Sequence, residues 1–239
     1  MPTQNRESAA LVTWPQRRHG DLIRISDNVW RVEGEVPRML LKRQMVVVRD
    51  ASRQLLLHSA IALDDRRMAQ LAALGTLRWL VVPNGWHRLD AAAYRARFPE
   101  LVVVAPSGAI ARIREVVAVD LSYEQFPAHH MLRCHAAPWS KPKEGVIEVR
   151  DGPCTLLVFN DLIFNPKGSG LSEWMYRLLR QGPQVPWLAK RMFARERAEL
   201  RNWLSQLADT EGLRVVVPGH GDPLMSDASG TLRKIAANV

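Results

Sequence analysis

Cysteine is nearly absent from this chain: Cys134 and Cys154 are the only two among 239 residues. A disulfide framework and a zinc-finger spacing are therefore excluded as sources of stability, and two free thiols in a reducing, cytoplasmic setting are expected. Long apolar runs are also missing. No stretch approaches the ~18 residues that a bilayer-spanning helix needs. The start, MPTQNRESAALVTWPQRRHG, has no continuous apolar segment behind a basic lead, so no signal peptide is expected. Three catalytic signatures are absent: the GxSxG elbow, the phosphate-binding P-loop and the glycine-rich dinucleotide fingerprint. Acidic residues are in deficit, 24 against 33 lysines and arginines, which leaves a net charge of +9. Such an excess favours anionic partners: a phosphorylated or otherwise anionic small molecule, nucleic acid, or an acidic membrane surface. There is no long basic block and no aromatic RNA-binding motif, so nucleic acid ranks behind a small anionic substrate or ligand.

What is present suits one α/β domain with a full core, at 47% apolar and 24% charged residues. Residues 1–20 are polar and read as a loosely held arm, followed by a domain over 21–239 with a helical insert at about 166–212. Residues 42–49 and 53–58 form paired strands. Asp64 can cap a helix carrying Met68, Leu71 and Leu74, and Gly75 ends it. Strand 77–82, helix 89–98, strand 101–104 and helix 108–116 follow. That order implies parallel strands joined by right-handed crossovers. In the second half, Asp151-Gly152 marks a hairpin between strands 145–150 and 154–160. Helices are expected over 171–180 and 195–208. The second carries Leu200, Trp203, Leu204 and Leu207 as a core-facing stripe. A strand at 214–217 and a helix at 230–237 close the chain. The whole fits a single-domain, four-layer αββα sandwich.

Two strand ends carry the chemistry. Residues 215–223, VVVPGHGDP, place His220 on a tight loop behind three buried valines. Residues 155–161, TLLVFND, are apolar until they deliver Asn160 and Asp161. Ligands of α/β proteins commonly bind at such carboxyl edges. An imidazole and a carboxylate there suggest half of a metal site. Asp161 can equally be a turn or helix-capping carboxylate, and His220 can be bonded to backbone within its glycine-rich turn.

These pieces resemble the metallo-β-lactamase superfamily. Asp161 stands where that family has a metal-bridging aspartate, and His220 matches the histidine of its late PGHG-type loop. The family's HxHxDH signature is eroded. After strand 77–82, LRWLVV, the loop reads PNGWHRLD, with Asn84, Trp86, Arg88 and Leu89 at the four ligand positions. His87 and Asp90 match none of them. The segment HAAPWSKPKEG (135–145) has no histidine where the middle ligand belongs, and His135 lies a few residues early. With LLLHS upstream and FNDLIFN downstream, the chain is similar to a divergent bacterial branch of the superfamily, for which no activity can be carried over.

The resemblance implies a hydrolase of an ester, amide or phosphoester working through metal-activated water. Asp161, His220 and His87 are the expected ligands. His135 is a weak fourth candidate, and Asn84, His58 and Asp90 are candidates for weaker or supporting roles. Arg88 would repel a dication unless it points outward. His129 and His130, neighbours on an extended segment, face opposite ways, so at most one can point inward. So few ligands predict at most one tightly bound zinc or other divalent ion. A non-catalytic protein binding an anionic molecule or partner in the same pocket is the alternative, and a basic nucleic-acid-associated protein the third reading.

Overall fold

The computed structural model describes residues 13–39, 41–127, 129–138, 143–165, 182–186 and 197–239. Short turns join the first apolar runs into a meander. Strands β1 (Ile23–Arg24), β2 (Val29–Glu35), β3 (Lys42–Arg49) and β4 (Gln54–His58) pair antiparallel in sequence order. Helix α1 (Asp65–Leu74) then carries the chain back across one face, and β5 (Thr76–Val81) lies parallel to β4. Asp64 caps α1 by accepting the Arg67 N–H at 2.7 Å. Helix α2 (Ala91–Arg97), strand β6 (Val102–Ala105), helix α3 (Ile110–Ile113) and strand β7 (Leu121–Ser122) extend the same sheet, again in parallel.

The second sheet repeats the scheme with four strands. Strands β8 (Leu132–Ala136), β9 (Gly145–Asp151) and β10 (Cys154–Val158) are antiparallel. The β9–β10 hairpin turns at Gly152, whose φ of +61° is left-handed, as the Asp-Gly pair predicts. The short strand β11 (Phe164–Asn165) leaves this sheet. Helix α4 (Arg197–Ala208) leads to β12 (Leu213–Val217), which adds parallel to β10. Strand β13 (His220–Gly221) pairs with β11, and helix α5 (Ala228–Ala237) ends the fold.

Strand alternation sorts the side chains into layers. Val46, Val48, Leu56, Val81 and Val104 of the first sheet meet Ile147, Val149, Leu156, Val158, Val215 and Val217 of the second. The outer face of the first sheet packs on Met68, Leu71, Ala91 and Tyr94 from α1 and α2. The outer face of the second packs on Leu200, Trp203, Leu204 and Leu207 of α4 and on Leu232 and Ile235 of α5. The αββα sandwich is thus observed, with the expected stripe on α4 facing inward. Burying each such large side chain is worth roughly 1.5–3 kcal/mol. Asp151 adds a polar clamp between the sheets: it accepts from Ser26 Oγ at 2.6 Å and from the Asn28 backbone N–H at 2.8 Å.

Gly75 ends α1 as expected, and its φ of 166° is extended. Glycine is needed there because a Cβ would come within 2.1 Å of the Arg53 carbonyl oxygen. Helix α2 begins at Ala91 instead of 89, and the helical stretch after β6 is a 3₁₀ turn, Ser107–Ala109, running into the four-residue α3. Of the expected arm, residues 13–20 are pinned where the structure describes them. Trp14 Nε1 donates to the Leu63 carbonyl at 2.8 Å, and the Arg17 N–H donates to that of Ala62 at 2.8 Å. Most of the expected insert, including the helix at 171–180 with Trp174, and Trp187, lies outside the described residues. Among the described residues no helix is long and apolar enough to cross a membrane.

Candidate metal centre

Three loops at the carboxyl ends of β5, β10 and β12 converge on one spot. His220 arrives first by way of a tight backbone contact. A Cβ on Gly219 would stand 2.7 Å from the Asn160 carbonyl carbon and oxygen, so only glycine lets the two loops touch. The Gly219 carbonyl accepts the Gln44 N–H of β3 at 2.9 Å, and His220 pairs with Phe164 across β11 and β13. His220 Nδ1 lies 2.7 Å from the Lys42 carbonyl oxygen. Gly219→Ala should therefore lower stability by roughly 1–3 kcal/mol, as overpacking does, and move His220 away from Asp161. Denaturation midpoints and zinc affinity, measured together, check this; unchanged values for both would show that the loops separate freely.

His87 is placed by Asn84. The Asn84 Oδ1 accepts the N–H groups of Trp86 at 2.8 Å and His87 at 2.9 Å, which folds the PNGWH loop into an Asx turn. Ser59 Oγ lies 2.8 Å from His87 Nδ1 and fixes the ring. Nε2 of His87 is then 3.1 Å, and Nε2 of His220 3.0 Å, from Oδ1 of Asp161. One ligand atom from each of the three residues lies within 4.8 Å of the others. The imidazoles are 7% and 4% exposed and the carboxylate 27%, so the centre opens to solvent on the Asp161 side.

The hydrogen-bond directions are informative. A carbonyl only accepts, so His220 carries its proton on Nδ1 toward Lys42. In the neutral ring Nε2 is then a bare lone pair facing a carboxylate oxygen. Two acceptors 3.0 Å apart repel unless a proton or a metal ion sits between them. Burial lowers the pKa of His87, which favours the neutral, ligating form, while Asp161 opposes that shift. Burial pushes the Asp161 carboxyl up, but the positive charge and hydrogen bonds of the His87 and His220 imidazoles, when a proton bridges each to Oδ1, outweigh it and hold the group below the usual carboxylate range, and a bound cation in their place would do the same. Two imidazole nitrogens and a carboxylate oxygen, each imidazole held through its second nitrogen, fit the donor set of a catalytic zinc with an open position.

The remaining candidates fall elsewhere. His135 is corrected: its Nε2 bonds Glu148 Oε2 at 2.7 Å across β8 and β9, away from the triad. With His129, His130, Tyr123 and Cys134 it lines a separate cleft of about 560 Å³. Asp90 is corrected too: it stands at the N-cap position of α2 without a side-chain cap bond, and its carboxylate turns away from the triad. It is buried between Arg43, with which it makes a very short ion pair, and Arg17 at 3.0 Å. A carboxylate flanked by two guanidiniums is already neutralised. Arg88 points outward to Glu115 at 2.8 Å, so its charge does not oppose a cation in the pocket. His58 is buried at the end of β4 with neither ring nitrogen hydrogen-bonded. Glu144 was not anticipated. This buried carboxyl accepts from Asn84 Nδ2, which also donates to Asp161 Oδ2 at 2.7 Å. Its only sequence signal is an acidic residue entering a strand, in the segment where a histidine was sought.

No family model matches the sequence, and no curated protein matches it. Solved structures do resemble the fold. The metallo-β-lactamase DIM-1 exposed to ceftazidime superposes with a TM-score of 0.61 at 12% identity, covering 94% of this chain and 98% of that one. The metallo-β-lactamase FIM-1 from Pseudomonas aeruginosa, in a mono-zinc form, gives 0.59 at 14% identity, covering 95% and 98%. TMB-1, described for its substrate and inhibitor binding, gives 0.60 at 12%, covering 94% and 98%. At these identities the likeness establishes the fold.

Proposed function

We propose that this protein is a metal-dependent hydrolase that uses one divalent ion, zinc by its donor set, held by His87, Asp161 and His220. The observation that carries the reading is the meeting of two anchored Nε2 atoms on one carboxylate oxygen, an arrangement that calls for a cation. The mono-zinc form of FIM-1 supports a one-ion site in this fold. When bound, the ion supplies a water acidified toward neutrality and a Lewis acid for the developing oxyanion. The chain's own groups do the rest. Lys42 and Ser59 hold the two imidazoles in register. Asn84 occupies Oδ2 of Asp161, which leaves Oδ1 for the triad. The Phe164 ring, 4.3 Å from that of His220, keeps water off its flank. The net charge of +9 suits an anionic ester, amide or phosphoester substrate.

The test is zinc per chain after exhaustive dialysis, in the parent and in Asp161→Ala and His220→Ala, with circular dichroism as the control for folding. We expect one equivalent in the parent and none in either variant. Ester, amide and phosphodiester probes should be hydrolysed only by zinc-loaded parent. A folded parent that holds no ion refutes the reading, and two equivalents would make the site an ordinary dinuclear one. A gentler variant probes the support: Ser59→Ala should weaken zinc affinity by about 10–100-fold, the usual effect of losing a group that orients a ligand. An unchanged affinity would remove Ser59 from the site.

A further inference from the structure

Asp161 uses its two oxygens on opposite sides. Oδ1 faces both histidines, and Oδ2 accepts from Asn84 Nδ2. The same amide nitrogen donates to Glu144 Oε1. One neutral NH₂ group therefore stands between two carboxyl groups and donates to both. The amide cannot turn over, because its oxygen already accepts two backbone N–H groups. What it presents to the gap is a donor, which cannot ligate a metal. Glu144 is 4% exposed and its Oε2 has no hydrogen-bond partner. Asn160 is fully buried, and its side chain lies against Glu144 as a further neutral hydrogen-bonding neighbour.

We infer that the Asn84 amide takes the place of a second cation, and that Asn84 is the residue that sets the metal capacity of this pocket to one. The inference builds on the one-ion reading above. Glu144 and Asp161 supply carboxyl oxygens to the gap. Such an all-oxygen set suits Mn²⁺ or Mg²⁺ rather than zinc once a ligand replaces the donor. Asn84→Asp supplies one: one carboxylate oxygen can keep accepting from Trp86 and His87, and the other enters the gap.

The experiment is metal analysis of the full chain, dialysed with Zn²⁺ and Mn²⁺, for the parent, Asn84→Asp, and Asn84→Asp with Glu144→Gln. We expect Asn84→Asp to hold one more equivalent than the parent, as Mn²⁺, and the double variant to return to the parent's count. The same count in folded Asn84→Asp as in the parent overturns the inference, as does a gain that survives Glu144→Gln. Electron paramagnetic resonance on the parent is a second measurement independent of any variant. Added Mn²⁺ should stay in solution beside the zinc-loaded parent, and a tightly bound equivalent would overturn the inference. The gain over the parent judges Asn84, whereas the parent's own zinc content judges the proposed hydrolase, so the two can fail separately.

Discussion

Asp90→Ala should cost the fold about 3–5 kcal/mol, the usual effect of stripping one partner from a buried ion pair. Arg43 is 1% exposed and Asp90 0%, so a guanidinium left alone there cannot recover its hydration. Asp90 also accepts the Ala62 N–H at 3.2 Å and binds Arg17, so it ties β3, the N-terminal segment and the 60–62 loop to the start of α2. The urea midpoint should fall with an unchanged slope. A loss below 1 kcal/mol would mean that Arg43 finds another partner. The paired variant Arg43→Met with Asp90→Leu should recover much of the loss, because removing both charges leaves neither unpaired.

Acid should destabilise the protein through His58 as the pH falls below about 6.5. Burial, with His87 adding to it, lowers the His58 pKa from 6.5 to about 3. Below pH 6.5 the unfolded chain therefore binds a proton that the folded chain refuses, so stability rises with pH across this range. The contribution is complete above pH 6.5 and is lost progressively as pH falls toward about 3. At pH 5 the loss is about 2 kcal/mol from this group alone. His87, whose pKa burial also lowers, acts in the same direction. In His58→Leu the difference in unfolding free energy between pH 7 and pH 5 should shrink by about 2 kcal/mol. An undiminished difference would show that His58 is hydrated in the folded protein.

The parts legible in the sequence are those that local pattern controls. Apolar runs ending in Pro-Gly or Asn-Asp are strands that deliver a polar residue to a sheet edge, and they place His220 and Asp161 without knowledge of the partner sheet. The Asp-Gly hairpin and the stripe on α4 are equally local, since backbone conformation and helical period depend on residues a few positions apart. The alignment of PNGWHRLD with a histidine signature could not show that His87 reaches the pocket, because the Asn84 turn changes the shape of the loop. Nor could it show that Arg88 turns outward, that Asp90 is committed to Arg43, or that Glu144 lies against Asn84. These are matters of which distant residues meet. Asp90 is 47 positions from Arg43, Asp161 77 from Asn84, and His220 178 from Lys42. Local pattern was enough for the layers and the two strand-end donors. Only the packing of one sheet on the other decided which third residue joins them and which charges are already neutralised, because burial and partner distance exist only once the chain is folded.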